Sequence, residues 1–256
     1  MHIVNGKEKV TILQLLTHTS GFDADPVPGL WLGWESYDER KAAVLSSPLV
    51  NAPGTAYIYS DLSMRLLSLC QTIRSTYIPD FMTMQIVLEK VVGLPLDELI
   101  EKDFTGPLGM KDSFFNRGNI EFPSGPLKRI AVTEYQIATL GNVEPQRPQP
   151  VWGTVHDENA WSLNGVARNA GMYSTAGDLA IFCQMILNNG TYNGVKILEA
   201  STVDLIFHDY NGAKFPGNNH GLGFELNQYY WSGAMQSLQT AGHTGFTGTT
   251  MVIDRR

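Results

Sequence analysis

The sequence predicts a mixed α and β fold of the α+β kind, with helices and strands segregated along the chain. Apolar residues recur at helical spacing through the first two-thirds, whereas strand-like alternation and β-branched runs appear only near the end, in GLGFELNQYY (221–230) and from Thr247 to Ile253. The composition, 43% hydrophobic and 17% charged with 25 Gly and 13 Pro, is that of a loop-rich globular chain, neither disordered nor fibrous. A length of 256 residues is enough to bury a sizeable core, and one compact unit is the default organisation.

Taken in order, TILQLLTH (11–18) has the apolar spacing of a short helix, ended by the Thr19-Ser20-Gly21 turn. A Pro/Gly/Trp-rich loop leads to a helix over 37–46, and Asn51-Ala52-Pro53-Gly54 is a turn that delivers the chain to Tyr57-Ile58-Tyr59-Ser60-Asp61. Leu62 to Val92 is mainly helical, interrupted near Pro79, and a helix over Leu94–Phe104 is closed by Gly106-Pro107-Leu108-Gly109. The polar, Pro-rich stretch 116–160 reads as long surface loops of the kind found near a site. Thr175 caps the amphipathic segment GDLAIFCQMILNNG (177–190), with Asn189-Gly190 as its stop, and a second short helix follows at 200–207.

Eighteen basic against twenty-five acidic residues give a net charge of −7, with no Lys/Arg cluster, which argues against nucleic acid as a partner. No stretch approaches the roughly 20 apolar residues that span a bilayer, and MHIVNGKEKV at the start has no signal-peptide core; no membrane is expected, and the cytoplasm is the default compartment. Cys70 and Cys183 lack metal or redox spacing and read as buried thiols. No metal or other cofactor is expected, and nothing fixes the oligomeric state.

Three segments in order, LLTHTSGF (15–22), YSDLS (59–63) and GHTGFTG (242–248), resemble class C β-lactamases, family VIII esterases and related D-Ala-D-Ala peptidases. PLGMKDSFF (107–115), VHDENAWSLNGVARNAGMYSTAGDLAIF (155–182) and GLGFEL extend the resemblance over almost the whole chain. It implies a β-lactamase/transpeptidase-like fold, an antiparallel sheet flanked by helices with a large helical subdomain, and acyl transfer from small esters or amides through a Ser-acyl intermediate. It also implies site roles. Tyr59 stands at the general base or proton relay, needing a nearby cation to depress a phenol of ordinary pKa near 10. Asp61 replaces an Asn, and His243-Thr244-Gly245 replaces Lys-Thr-Gly; both substitutions favour esterase or transesterase chemistry over β-lactamase or peptidase chemistry. His243 either donates to substrate or orients the tyrosine, and Phe246 holds the position whose backbone N–H completes an oxyanion hole. His18 is expected to be structural, hydrogen-bonding a turn, and His156 with Asp157 either a rim pair or plain loop residues.

The nucleophile of this family sits in a Ser-x-x-Lys pair, one helical turn apart. No serine in the sequence has a lysine three residues on; Ser124 has Lys128 at four, in a Pro/Gly segment unsuited to a helical turn. The family pattern places that motif tens of residues before LLTHTSG, so the expectation is a partial domain over 1–256, incomplete at both ends and inert as it stands. Within it, about 1–175 forms the helical and loop part with Tyr-Ser-Asp, and about 176–256 the helices and strands of the sheet part. Residues 65–81 read as an insertion, for which a retained intron and a tolerated surface insertion both remain open. A non-catalytic homologue that binds a ligand in the same cleft is the rival reading.

Overall fold

The computed structural model describes residues 6–24, 29–30, 34–58, 79–117, 129–135 and 149–256. Tyr59, Asp61, Cys70 and residues 65–78 of the expected insertion lie outside them. Capping boxes set the first helix starts: Thr11 and Ser36 accept hydrogen bonds from the backbone N–H groups of Gln14 and Glu39, whose side chains bond back, opening α1 (Ile12–Leu16) and α2 (Tyr37–Ser46). Helix α3 covers Pro79–Val92. The expected Leu94–Phe104 helix begins two residues later, at α4 (Leu96–Ile100), because Pro95 takes the cap position; a single π turn over Glu101–Thr105 then leads into α5 (Gly106–Leu108). Gly109 closes this run with a left-handed φ of 70°.

Strands β1 (Phe114–Phe115) and β2 (Met172–Tyr173) form a short antiparallel ribbon, with Phe114 stacked on Tyr173 at 5.7 Å. Between them lies α6 (Glu158–Ser162), capped by the Asp157 carboxylate through the N–H of Ala160. Helix α7 (Ala176–Leu187) starts at the predicted cap, Thr175, and stops where Asn189 and Gly190 turn left-handed. A hairpin of β3 (Thr191–Tyr192) and β4 (Val195–Lys196) turns on Asn193-Gly194, both at positive φ, and α8 (Ala200–Ile206) follows.

The main sheet has three antiparallel strands in the order β5 (Glu225–Leu226), β6 (Thr240–Thr244), β7 (Thr250–Asp254). GLGFELNQYY therefore supplies only a two-residue strand: Asn227 adopts a left-handed φ of 58°, which ends the ladder, and Tyr229–Ser232 coils into α9. Likewise Thr247–Thr249 are turn rather than strand, with Gly248 at φ 92°. In register, Ala241 lies between Leu226 and Ile253, and all three are buried with Met185 and Ile186 of α7 and Val203 and Ile206 of α8. Each large aliphatic side chain there contributes roughly 1.5–3 kcal/mol of transfer free energy. A second cluster (Leu30, Val44, Met82, Val155, Leu163) packs α2, α3 and α6 together.

Asp178 joins these layers. From the first turn of α7 its carboxylate accepts from the Asp112 N–H at 2.8 Å and from the Ser113 hydroxyl at 2.8 Å, tethering the segment before β1. Asp178→Ala leaves both donors without that acceptor, so a loss of about 2 kcal/mol is expected in urea unfolding; an unchanged midpoint would remove Asp178 from the tether.

Candidate active-site cleft

A cavity of about 1170 Å³ opens where the end of β6 meets β2, α3 and the segments 129–133 and 154–157. His243, Thr244, Gly245 and Phe246 all line it, so the described members of the expected site come together on one wall. Tyr59 and Asp61 lie outside the described residues.

The GHTG sequence is what lets this wall form. A Cβ on Gly242 would sit 2.7 Å from the Trp231 ring and 2.5 Å from the Met251 carbonyl, so glycine allows α9 to pack flat on β6. At Gly245 a Cβ would meet the Thr249 hydroxyl at 2.1 Å. The tight β6–β7 turn is closed there by Gly245 N–H to Thr249 O at 2.7 Å and Gly248 N–H to Gly245 O at 2.9 Å. Phe246 projects from this turn, 65% exposed, and among the described residues its backbone N–H donates to no acceptor.

His243 is partly buried, and its Nδ1–H donates to the Thr244 carbonyl at 2.6 Å. Behind it lies a group of basic side chains that the sequence did not bring together. His18 is 1% exposed, its ring 5.0 Å from His220 and 4.7 Å from Phe81. Burial, with the charges of His243 and Arg168 nearby, lowers the His18 pKa to about 3. His220 is fully buried, donates Nδ1–H to the Gly221 carbonyl at 2.7 Å, and is pushed well below the usual histidine value by burial and by His18 and His243. The His18 ring packs against Phe81 and His220, and its backbone carbonyl accepts from Ile58 N–H at 3.0 Å.

Arg168 also lines the cavity, half-buried, with its guanidinium 5.3 Å from the Phe81 ring centre. Burial draws its pKa down to about 10, which leaves it a cation at neutral pH. His156 and Asp157 each have a partner elsewhere. Asp157 is committed to capping α6, while His156 bonds the Glu134 carboxylate and stacks on Phe246 at 5.5 Å and 24°. Sequence reading missed His220 and Arg168: the first sits alone in a loop-like stretch, and the second is hidden in the GVARNAG segment that was read for resemblance only.

Comparison with known proteins gives these positions a setting. A family model described as Beta-lactamase matches residues 2–256. A "Putative D-alanyl-D-alanine carboxypeptidase" of Salmonella enteritidis PT4 is 33% identical over 265 residues, which cover 98% of this chain and 56% of that protein. The chain therefore spans little more than half the length of such relatives. Among solved structures, a penicillin-binding protein homologue from Caulobacter crescentus superposes with a TM-score of 0.64 at 20% identity, over 98% of this chain and 63% of that one. Unliganded simvastatin synthase from Aspergillus terreus superposes at 0.59 and 18% identity, over 96% of this chain and 60% of that one. At such identities the structures establish a shared β-lactamase/transpeptidase-like fold.

Proposed function

The chain belongs to the Beta-lactamase family, and from that premise we propose that it forms the substrate cleft of a serine hydrolase that transfers the acyl group of small esters or amides. The observation that carries the reading is the β6 edge: His243-Thr244-Gly245 runs along a cavity of about 1170 Å³ and ends in a backbone N–H, on Phe246, with no acceptor among the described residues. A preorganised donor of this kind stabilises the negative charge that develops on a carbonyl oxygen under attack.

In the proposed mechanism Tyr59 takes the proton of the nucleophile, and Asp61 lies beside the proton relay. In this reading His243, whose Nδ1–H is given to the Thr244 carbonyl, orients the phenol of Tyr59. The nearby cation that such a tyrosine needs is available in Arg168 on the same cavity. Esterase or transesterase chemistry leads, on the strength of Asp61 and His243. The peptidase reading is favoured by one specific observation, the 33% identical relative named a D-alanyl-D-alanine carboxypeptidase. Because no serine in the sequence has a lysine three residues on, we place the nucleophile outside these 256 residues and expect this chain to bind rather than turn over.

A titration of ¹⁵N-labelled chain with a small neutral ester, methyl N-acetylalaninate, tests the cleft. The amide signals of Thr244, Gly245 and Phe246 are expected to move most; changes confined to other surfaces would overturn the assignment.

A further inference from the structure

An aromatic pair joins the β6 wall of the cleft to the segment 154–157. Phe246, on the β6–β7 turn, stacks on His156 with ring centres 5.5 Å and planes 24° apart, and both residues line the cavity. This lies within the offset-stacked geometry that aromatic pairs favour.

The two rings are mounted differently. His156 sits on a pinned segment. Its Nε2 bonds the Glu134 carboxylate. The Glu134 backbone is in turn bridged to Val151, through Val151 N–H to Glu134 O at 2.7 Å and Thr133 N–H to Val151 O at 2.9 Å. The Trp152 indole N–H donates to the Ile130 carbonyl at 2.6 Å, and Asp157, the next residue after His156, caps α6. Phe246 is the opposite case. The two hydrogen bonds that close its turn, Gly245 N–H to Thr249 O and Gly248 N–H to Gly245 O, bypass it. The glycine before it leaves the connecting peptide plane conformationally permissive. Its ring and its N–H share one Cα, however, so a ring held against His156 limits the rotation about N–Cα that would swing that plane away.

We propose that His156 is a positioning residue: by holding the Phe246 ring it fixes the direction of the Phe246 backbone N–H, the donor assigned to the developing oxyanion. Such a donor is effective only when it already points at the place the charge will occupy, because turning it during the reaction consumes the stabilisation it provides. Glu134 holds the imidazole in the stacking position. The inference rests on the acyl-transfer reading of the cleft and adds to it a residue that acts through Phe246.

Titration with methyl N-acetylalaninate, read at the amides of ¹⁵N-labelled chain, tests this in the parent and three variants. His156→Ala removes both the stack and the Glu134 bond. His156→Phe keeps a ring for Phe246 and loses only the bond. Phe246→Ala removes the stack from the other side, at a side chain 65% exposed, where the fold is not at risk. Both alanine variants are expected to bind the ester about fivefold more weakly, the scale of one aromatic pair, with the ligand-induced shift at residue 246 lost and that at Thr244 kept. His156→Phe should restore the parent response. In the free chain, His156→Ala should also move the Phe246 ring protons downfield, because the shielding ring is gone. Parent-like binding in either alanine variant, or a His156→Phe response as poor as that of His156→Ala, would overturn the positioning role while leaving the cleft intact. A parent chain with no shifts at 244–246 would remove the cleft reading and this inference together.

Discussion

Acidification is expected to unfold the chain well before its carboxylates are fully protonated, and His18 is the main reason. In the folded protein its pKa lies at about 3, because the ring is buried against Phe81 and His220 with His243 and Arg168 nearby. An unfolded chain would hold the same group near 6.5. The unfolded state therefore takes up the proton first. Stability is complete above about pH 6.5 and drains away as the pH falls towards 3, by a total of about 5 kcal/mol for this one group. That is comparable to the whole stability of many domains. His220 acts in the same direction, since a proton added at its Nε2 would find no acceptor among the described residues. Urea unfolding measured at intervals between pH 7.5 and 4 checks this: stability should fall steeply below 6.5, and His18→Gln should flatten the curve. A profile flat down to pH 4.5 would contradict the buried, uncharged state of the histidine pair.

A second large effect concerns turnover. Removing the nucleophile of a serine hydrolase lowers the rate by about 10⁶-fold, and no serine in the sequence has a lysine three residues on. Hydrolysis of p-nitrophenyl esters by the 256-residue chain is expected to stay at the rate of buffer, even though the β6 residues line a cavity. Saturable ester hydrolysis that disappears on heat denaturation would contradict this.

Helix starts were the most legible part of the fold, because they depend on local chemistry: Ser36 and Thr175 each bond a backbone N–H three residues on, and α2 and α7 begin there. The strands were less so. GLGFELNQYY alternates like a strand over ten residues, yet the left-handed Asn227 ends the ladder after Leu226, and Trp231 is drawn into α9 to pack on Gly242. That outcome depends on a contact between residues eleven apart, which periodicity does not report. At the site, the GHTG strand was visible because its residues are contiguous. The basic group behind it was not: His18, Arg168, His220 and His243 are scattered over more than two hundred positions and meet only when α1, α3 and β6 converge. The same reason explains why the contacts of His156 with Glu134 and Phe246 were not legible from its sequence neighbours.

We propose that this chain carries the acyl-binding cleft of a β-lactamase-family hydrolase but not its nucleophile. Intact-mass detection of fluorophosphonate labelling on the purified, folded chain tests that directly. No mass shift is predicted. A stoichiometric adduct would show that a serine within residues 1–256 is activated, and would contradict it.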